Sequence, residues 1–140
     1  MLKKLFLSFI LLLVVFSSIA MEISEAHHGA EVFIVSPKNN ETVSNPIKVV
    51  FGIKNMILSP AGIKENFSGH HHLLVDVDNL PDLALPIPSD ENHIHFGKAQ
   101  TETIINLTPG EHSLQLILGD HYHVPHNPQV ISEKITIFVK

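Results

Sequence analysis

Residues 47–54 read Ile-Lys-Val-Val-Phe-Gly-Ile-Lys, and this stretch decides the fold class. Apolar residues at every second position alternate with a second set that includes both lysines, which is the period of a β-strand with one buried face. Similar short segments recur, with Pro and Gly between them, at residues 32–35, 71–75, 103–107, 113–118 and 134–140. The pattern predicts an all-β, immunoglobulin-like β-sandwich of about seven strands. A small β-barrel is the alternative.

The composition excludes several classes of protein. The length of 140 residues suits one domain. The chain has no cysteine, which excludes disulfides, thiolate metal sites and thiol catalysis. Its net charge is −5 and it has no arginine, so it lacks the basic patch that binds phosphates. We therefore expect no nucleic-acid partner.

The start of the chain has the pattern of a secretory signal peptide. A positively charged beginning precedes an apolar run over residues 5–15, which is too short for a comfortable membrane span. Small residues then allow cleavage after Ala20 or Ala26, and the end of the apolar run favours Ala20. We expect residues 1–26 to be a signal peptide and residues 27–140 to form a single histidine-rich domain. The predicted location is the periplasm or another exported site, with membrane contact only before cleavage; a retained anchor is the alternative.

Histidine is the unusual feature of the composition, with eleven residues. Most of them fall in three clusters, and each cluster contains a His-x-His pair. Residues two apart in an extended chain point to the same face, so each pair can present two imidazoles to one ion. Such pairs on neighbouring strands or loops can build nitrogen-rich metal sites. The predicted metal ligands are His70, His72, His93, His95, His121 and His123.

Two other histidines are predicted to be structural. His71 alternates to the face opposite its two neighbours, so we expect it to pack or to form hydrogen bonds. His112 shares a face with Leu114 and Leu116, which indicates a buried or edge position. Metal-bound imidazoles usually donate a hydrogen bond to a second group, and carboxylates near the clusters are suitable acceptors. These are Asp76, Asp90, Glu91 and Asp120.

The residue types also narrow the choice of metal. Met56 is the only sulfur-containing residue within 27–140, so a methionine-rich Cu(I) site is disfavoured. Sites made of imidazoles suit Cu(II), Zn(II) or Ni(II), and the general order of affinities favours copper. The expected cofactor is therefore a copper or zinc ion.

Several motifs occur in the order found in one family of small exported bacterial domains. They include Ser36-Pro37, Phe51-Gly52, Gly69-His70-His71-His72-Leu73-Leu74, His93-Ile94-His95-Phe96-Gly97, Gly119-Asp120 and His123. In these motifs the chain resembles domain of unknown function 4399 over essentially all of residues 27–140. The resemblance implies an exported β-domain without an established activity. A looser similarity is to periplasmic copper carriers of the CopC type. It rests on His27 before Ser36-Pro37 and depends on cleavage after Ala26.

Together these features favour an exported metal-binding protein that acts as a copper or zinc carrier, buffer or metallochaperone. Its partners would be the metal ion and another periplasmic protein. The alternative is a non-catalytic interaction module whose histidines are structural. A mononuclear metal oxidase ranks last, because it needs an open coordination position that nothing in the sequence requires. No catalytic residue is predicted.

Overall fold

The computed structural model describes residues 22–140. Most of the predicted signal peptide, including the cleavage point after Ala20, lies outside the described residues. The described chain is built from nine β-strands, numbered here in chain order, and it contains no α-helix. A search for a helix long and apolar enough to cross a membrane finds none within residues 22–140.

The alternating segment at residues 47–54 forms the central strand of the smaller sheet. This strand, β3 (Ile47–Lys54), pairs antiparallel with β1 (Glu31–Ser36) on one side and with β7 (Glu102–Ile105) on the other. Ile47 and Val49 point away from solvent, whereas Lys48 is exposed. The alternation of apolar residues therefore correctly predicted this strand and the face that it buries.

The larger sheet has six strands. Five of them follow the order β2 (Glu41–Val43), β9 (Ile135–Val139), β8 (Gly110–Gly119), β5 (Ser68–Val75) and β4 (Ile57–Leu58). The sixth strand, β6 (His93–His95), also pairs with β5. It lies antiparallel to the end of β5, whereas β4 lies parallel to its start. Two different segments thus share the same edge of β5.

The two sheets pack their apolar faces against each other. One cluster contains buried residues of both sheets, among them Val32, Val49, Phe51, Leu73, Leu116 and Ile137. The predicted β-sandwich is thus confirmed. The structure has nine strands where about seven were expected, and three of the nine (β2, β4 and β6) have only two or three residues. Elements this short give no periodic signal in the sequence.

A second layer covers the outer face of β5. All eight residues of this strand are buried, which one apolar face alone would not produce. On the outer face Leu74 packs with Ile117 and with Ile87 from the long segment between β5 and β6. That segment therefore folds back over the large sheet, and side chains on the outer face of β5 lie in a protected environment.

Candidate metal centre

The strand β5 places two histidines on the protected outer face. His70 and His72 share this face with Leu74, whereas His71 and Leu73 point into the sandwich. Both outer histidines have no exposed surface. In the pairing with β8, His70 lies opposite Gly119. The predicted His-x-His geometry is therefore present in an interior position.

The short strand β6 adds a third imidazole. Its pairing with β5 sets His95 directly opposite His72, and the two ring centroids are 5.1 Å apart. The His95 ring is also 4.9 Å from that of His70. Side chains of directly opposed residues lie on the same face of a sheet, so the strand register alone brings these rings together.

A tight loop after β8 adds the fourth imidazole. The backbone N–H of His123 donates to the Asp120 carbonyl at 2.8 Å, and the N–H of Asp120 donates to the Val124 carbonyl at 2.9 Å. His123 has a φ of 69°, a left-handed conformation that is uncommon outside glycine. This conformation turns the imidazole back toward β5, and its ring lies 5.0 Å from that of His70. Such strained residues are frequent at functional sites.

These four residues form one compact group, termed here the four-imidazole cluster (His70, His72, His95 and His123). All six distances between ring centroids lie between 4.7 and 5.9 Å. The Nε2 atoms of His70 and His72 are 3.1 Å apart. One nitrogen from each of His70, His72 and His95 lies within 4.8 Å of the others.

These distances suit a single metal ion. Nitrogen ligands bind Zn²⁺ at about 2.0–2.1 Å, so two of them in a tetrahedral site are roughly 3.3 Å apart. The Nε2 atoms of His70 and His72 already have this spacing. A nitrogen of His95 lies within 4.8 Å of nitrogens of both residues, and the ring of His123 lies beside all three rings. The donor set, nitrogen without sulfur or carboxylate, suits copper and zinc.

Two glycines make room for the cluster because they have no side chain. A Cβ atom on Gly119 would lie 2.8 Å from Nε2 of His72, and one on Gly97 would lie 2.7 Å from Nε2 of His95. Both distances are shorter than real side chains tolerate. No role was predicted for these glycines from the sequence. Gly119 precedes the Asp120-His121 pair and Gly97 follows His95 by two residues, and this position beside the histidine clusters is the signal that could have indicated a role.

Burial favours the uncharged form of three imidazoles of the cluster, those of His70, His72 and His95. Desolvation, with smaller contributions from the neighbouring imidazoles, lowers the pKa of His70 to about 4 and that of His72 to about 2. The pKa of His95 is lowered for the same two reasons. Neutral imidazoles have the free electron pair that a metal ion requires. Buried nitrogens of all three side chains also lack a hydrogen-bond partner within residues 22–140.

Two of the six predicted ligands lie elsewhere. Nδ1 of His93 donates to Asp90 at 2.8 Å. His121 stacks on Tyr122, with 4.1 Å between the rings, and its Nδ1 is 3.8 Å from the Asp120 carboxylate. In the described part of the chain, no ring contact joins either histidine to the four-imidazole cluster. The structure thus brings together four of the six predicted residues.

The histidines predicted to be structural occupy such positions. His71 is fully buried on the inner face, 5.2 Å from the Phe51 ring. Burial lowers its pKa to about 4. His112 donates to Asp76 at 2.7 Å and to the Thr108 carbonyl at 2.8 Å. Burial acts to lower the pKa of His112, but these hydrogen bonds outweigh it and the pKa is raised. His71 therefore packs in the core, and His112 forms hydrogen bonds.

Comparisons with known proteins identify a family and leave the activity open. The sequence profile described as "Domain of unknown function (DUF4399)" matches residues 49–140, which include all four residues of the cluster. No curated protein matches the chain. Among solved structures, the fibronectin(III)-like modules of Clostridium thermocellum CbhA are similar at 18% identity and a TM-score of 0.44. The likeness covers 78% of this chain and 95% of that one.

Proposed function

The chain belongs to the family of domain of unknown function 4399, and we propose that it is an exported metal-binding protein for copper or zinc. One ion would be bound by the four-imidazole cluster. The observation that carries the proposal is the mutual contact of four imidazoles, with every centroid distance between 4.7 and 5.9 Å. Leaving buried polar atoms without a partner costs about 1–3 kcal/mol each. Nε2 of His95 is such an atom in the described residues, and a bound ion would use its electron pair and remove that cost.

The environment of the cluster supports holding and transfer of an ion more than catalysis. Four protein ligands fill a tetrahedral shell, whereas catalytic sites keep one position open for water or substrate. His95 and His123 are only partly buried, whereas His70 and His72 are fully buried. An ion would enter and leave past the two partly buried rings. We therefore favour a carrier, buffer or metallochaperone that exchanges its ion with another exported protein.

The test is metal binding by the protein without an affinity tag, since added histidines would themselves bind metal. The purified protein is stripped with a chelator and titrated with Cu(II) and with Zn(II) by calorimetry. We expect one equivalent of metal to bind, together with a higher melting temperature, because a ligand that binds only the folded state stabilises it. The double substitution His72→Ala/His95→Ala should abolish this binding.

A matched control removes the same number of imidazoles elsewhere. His27 and His28 are exposed near the start of the described chain, so His27→Ala/His28→Ala should leave the stoichiometry at one. If both double variants bound metal as the wild type does, the cluster would not be the site. If the wild type bound no metal and showed no thermal shift, the histidines would be structural, as the alternative hypothesis states.

A further inference from the structure

A short segment before the first strand is bound to the chain that follows the His123 loop. The backbone N–H of Asn127 donates to the Ser24 carbonyl at 3.0 Å, and the N–H of Ala26 donates to the Asn127 carbonyl at 3.2 Å. Glu25 forms a parallel bridge with Asn127. Ala26 is 5% exposed and belongs to the main apolar core. The segment Ser24–Ala26, termed here the N-terminal clamp, is therefore part of the folded domain.

One side chain of the clamp forms a hydrogen bond with the loop that carries His123. Ser24 donates its hydroxyl hydrogen to Oδ2 of Asp120 at 2.6 Å. The other carboxylate oxygen of Asp120 accepts the backbone N–H groups of Tyr122 and Val124 at 2.8 and 3.0 Å. These two residues flank His123, so Asp120 holds the turn that aims the fourth imidazole. Ser24 occupies the remaining oxygen of a carboxylate that is only 2% exposed.

Asp120 also brings a negative charge to the site. Its carboxylate acts to raise the pKa of His70, against the larger opposing effects of burial, His123 and His95. A divalent ion bound only by neutral imidazoles keeps both of its positive charges, and burial of that charge is unfavourable. A nearby carboxylate in a low-dielectric environment offsets part of this cost.

We propose that Ser24, acting through Asp120, is a positioning residue of the metal site, and that the N-terminal clamp has to remain joined to the domain for the ion to be retained. This inference rests on the proposed function and adds to it a means by which the chain controls how long the ion is retained. Of the two predicted cleavage points, the one after Ala20 keeps the clamp. Cleavage after Ala26 would remove it and would leave Asp120 Oδ2 buried without its Ser24 partner.

The first test measures metal release from the full exported protein. The protein is loaded with one equivalent of Cu(II) or Zn(II), mixed with excess chelator, and followed over time. Removal of a group that supports metal ligands typically costs 10- to 100-fold in affinity. We expect Ser24→Ala to release the ion at least about tenfold faster than the wild type. Ser24→Thr keeps the hydroxyl and should restore slow release.

A buried serine elsewhere supplies the matched control. The Ser132 hydroxyl accepts from the backbone N–H of Leu116 and donates to the Glu133 carbonyl, away from the His123 loop. Ser132→Ala should lower the melting temperature without changing the release rate. The electron paramagnetic resonance spectrum of the Cu(II)-loaded protein should change in Ser24→Ala and stay unchanged in Ser132→Ala, because only Ser24 bears on ligand geometry.

The substitution Asp120→Asn removes the carboxylate charge and keeps the hydrogen bonds of the side chain. The amide oxygen can still accept from Tyr122 and Val124, and the amide nitrogen can donate to the Ser24 hydroxyl. We therefore expect a weaker affinity for the ion, by about tenfold, with an unchanged backbone. An affinity equal to that of the wild type would show that the Asp120 charge does not contribute.

The intact mass of the exported protein completes the test. We expect a first residue before Ser24. If the exported protein began at His27 and still held one ion, or if Ser24→Ala released metal at the wild-type rate, the clamp would have no role while the metal site remained established. Absence of metal in the wild type would instead overturn the proposed function itself, and the role of the clamp with it.

Discussion

His95 lies directly opposite His72 in the ladder between β5 and β6, and their ring centroids are 5.1 Å apart. The two residues are 23 positions apart in the chain, and the intervening segment covers the outer face of β5 through Ile87. The same fold of the chain thus creates the pair and shields it from solvent. This coupling explains why the two rings lie close together and why burial lowers the pKa of each.

The loop after β8 offers a direct comparison of two histidines. His123 belongs to the cluster, whereas His121 stacks on Tyr122. His123→Ala should weaken metal binding by more than about 100-fold, since loss of a ligand costs at least as much as loss of a supporting group. His121→Ala should change the affinity little. Calorimetric titration of both variants checks this, and equal effects would contradict the assignment.

Gly119 is expected to be intolerant of a side chain for a reason specific to the site. In Gly119→Ala the new methyl group would lie 2.8 Å from Nε2 of His72, so this ring would have to move away from the other three. We expect the thermal stabilisation by added metal to be lost, while the metal-free variant still folds. Melting curves with and without Zn(II) measure both quantities. A full metal-induced shift in the variant would show that the His72 ring need not hold this position.

Acid should destabilise the metal-free protein. The pKa values of His70 and His71 are lowered from 6.5 to about 4, and that of His72 to about 2. Below pH 6.5 the unfolded chain binds protons that the folded protein does not, so the free energy of unfolding falls as the pH falls toward 4. Each such histidine contributes roughly 1 kcal/mol per pH unit in this range.

Urea unfolding at several pH values between about 7 and about 5 measures this slope. Bound metal should shift the loss of stability to lower pH, because the ion binds only the neutral imidazoles. The variant His72→Ala should show a smaller slope than the wild type in the absence of metal. A free energy of unfolding that did not change over this range would mean that the histidines are accessible to protons in the folded state.

A substitution at His71 is expected to increase the stability of the metal-free protein. Both of its ring nitrogens are buried without a hydrogen-bond partner in the described residues, and its ring faces Phe51 in the apolar core. His71→Leu should therefore stabilise the metal-free protein by about 1–2 kcal/mol, since an unpartnered polar group is replaced by an apolar one. Metal affinity should stay unchanged. Denaturant unfolding and titration with Cu(II) test the two statements.

His126 is the control for this substitution. It is equally buried, but its Nε2 lies 2.8 Å from the Ser68 carbonyl and its Nδ1 lies 3.4 Å from that of Leu118. His126→Leu should destabilise the protein because the nearer carbonyl, that of Ser68, loses its hydrogen bond from the ring. If both leucine variants changed stability in the same direction, the difference in hydrogen bonding would not be the cause.

The fold class could be predicted from the sequence, and so could the pairing of His70 and His72 on one face of a strand. Alternation in residues 47–54 and 113–118 gave strands with a buried face, because the period of a strand is fixed by its backbone geometry. The spacing of His70 and His72 gave two imidazoles on one face for the same reason. The lack of cysteine and the single methionine within residues 27–140 left imidazole nitrogen as the main kind of ligand for copper or zinc.

The tertiary structure alone decided which histidines meet. His93 and His95 have the same spacing as His70 and His72, yet only His95 enters the cluster, since the register of β6 sets it opposite His72. His121 and His123 are distinguished by the turn around Asp120, which gives His123 its positive φ. Local spacing depends on backbone periodicity and can be read from the chain. Register and loop conformation depend on contacts between distant residues, and these exist only in the folded protein.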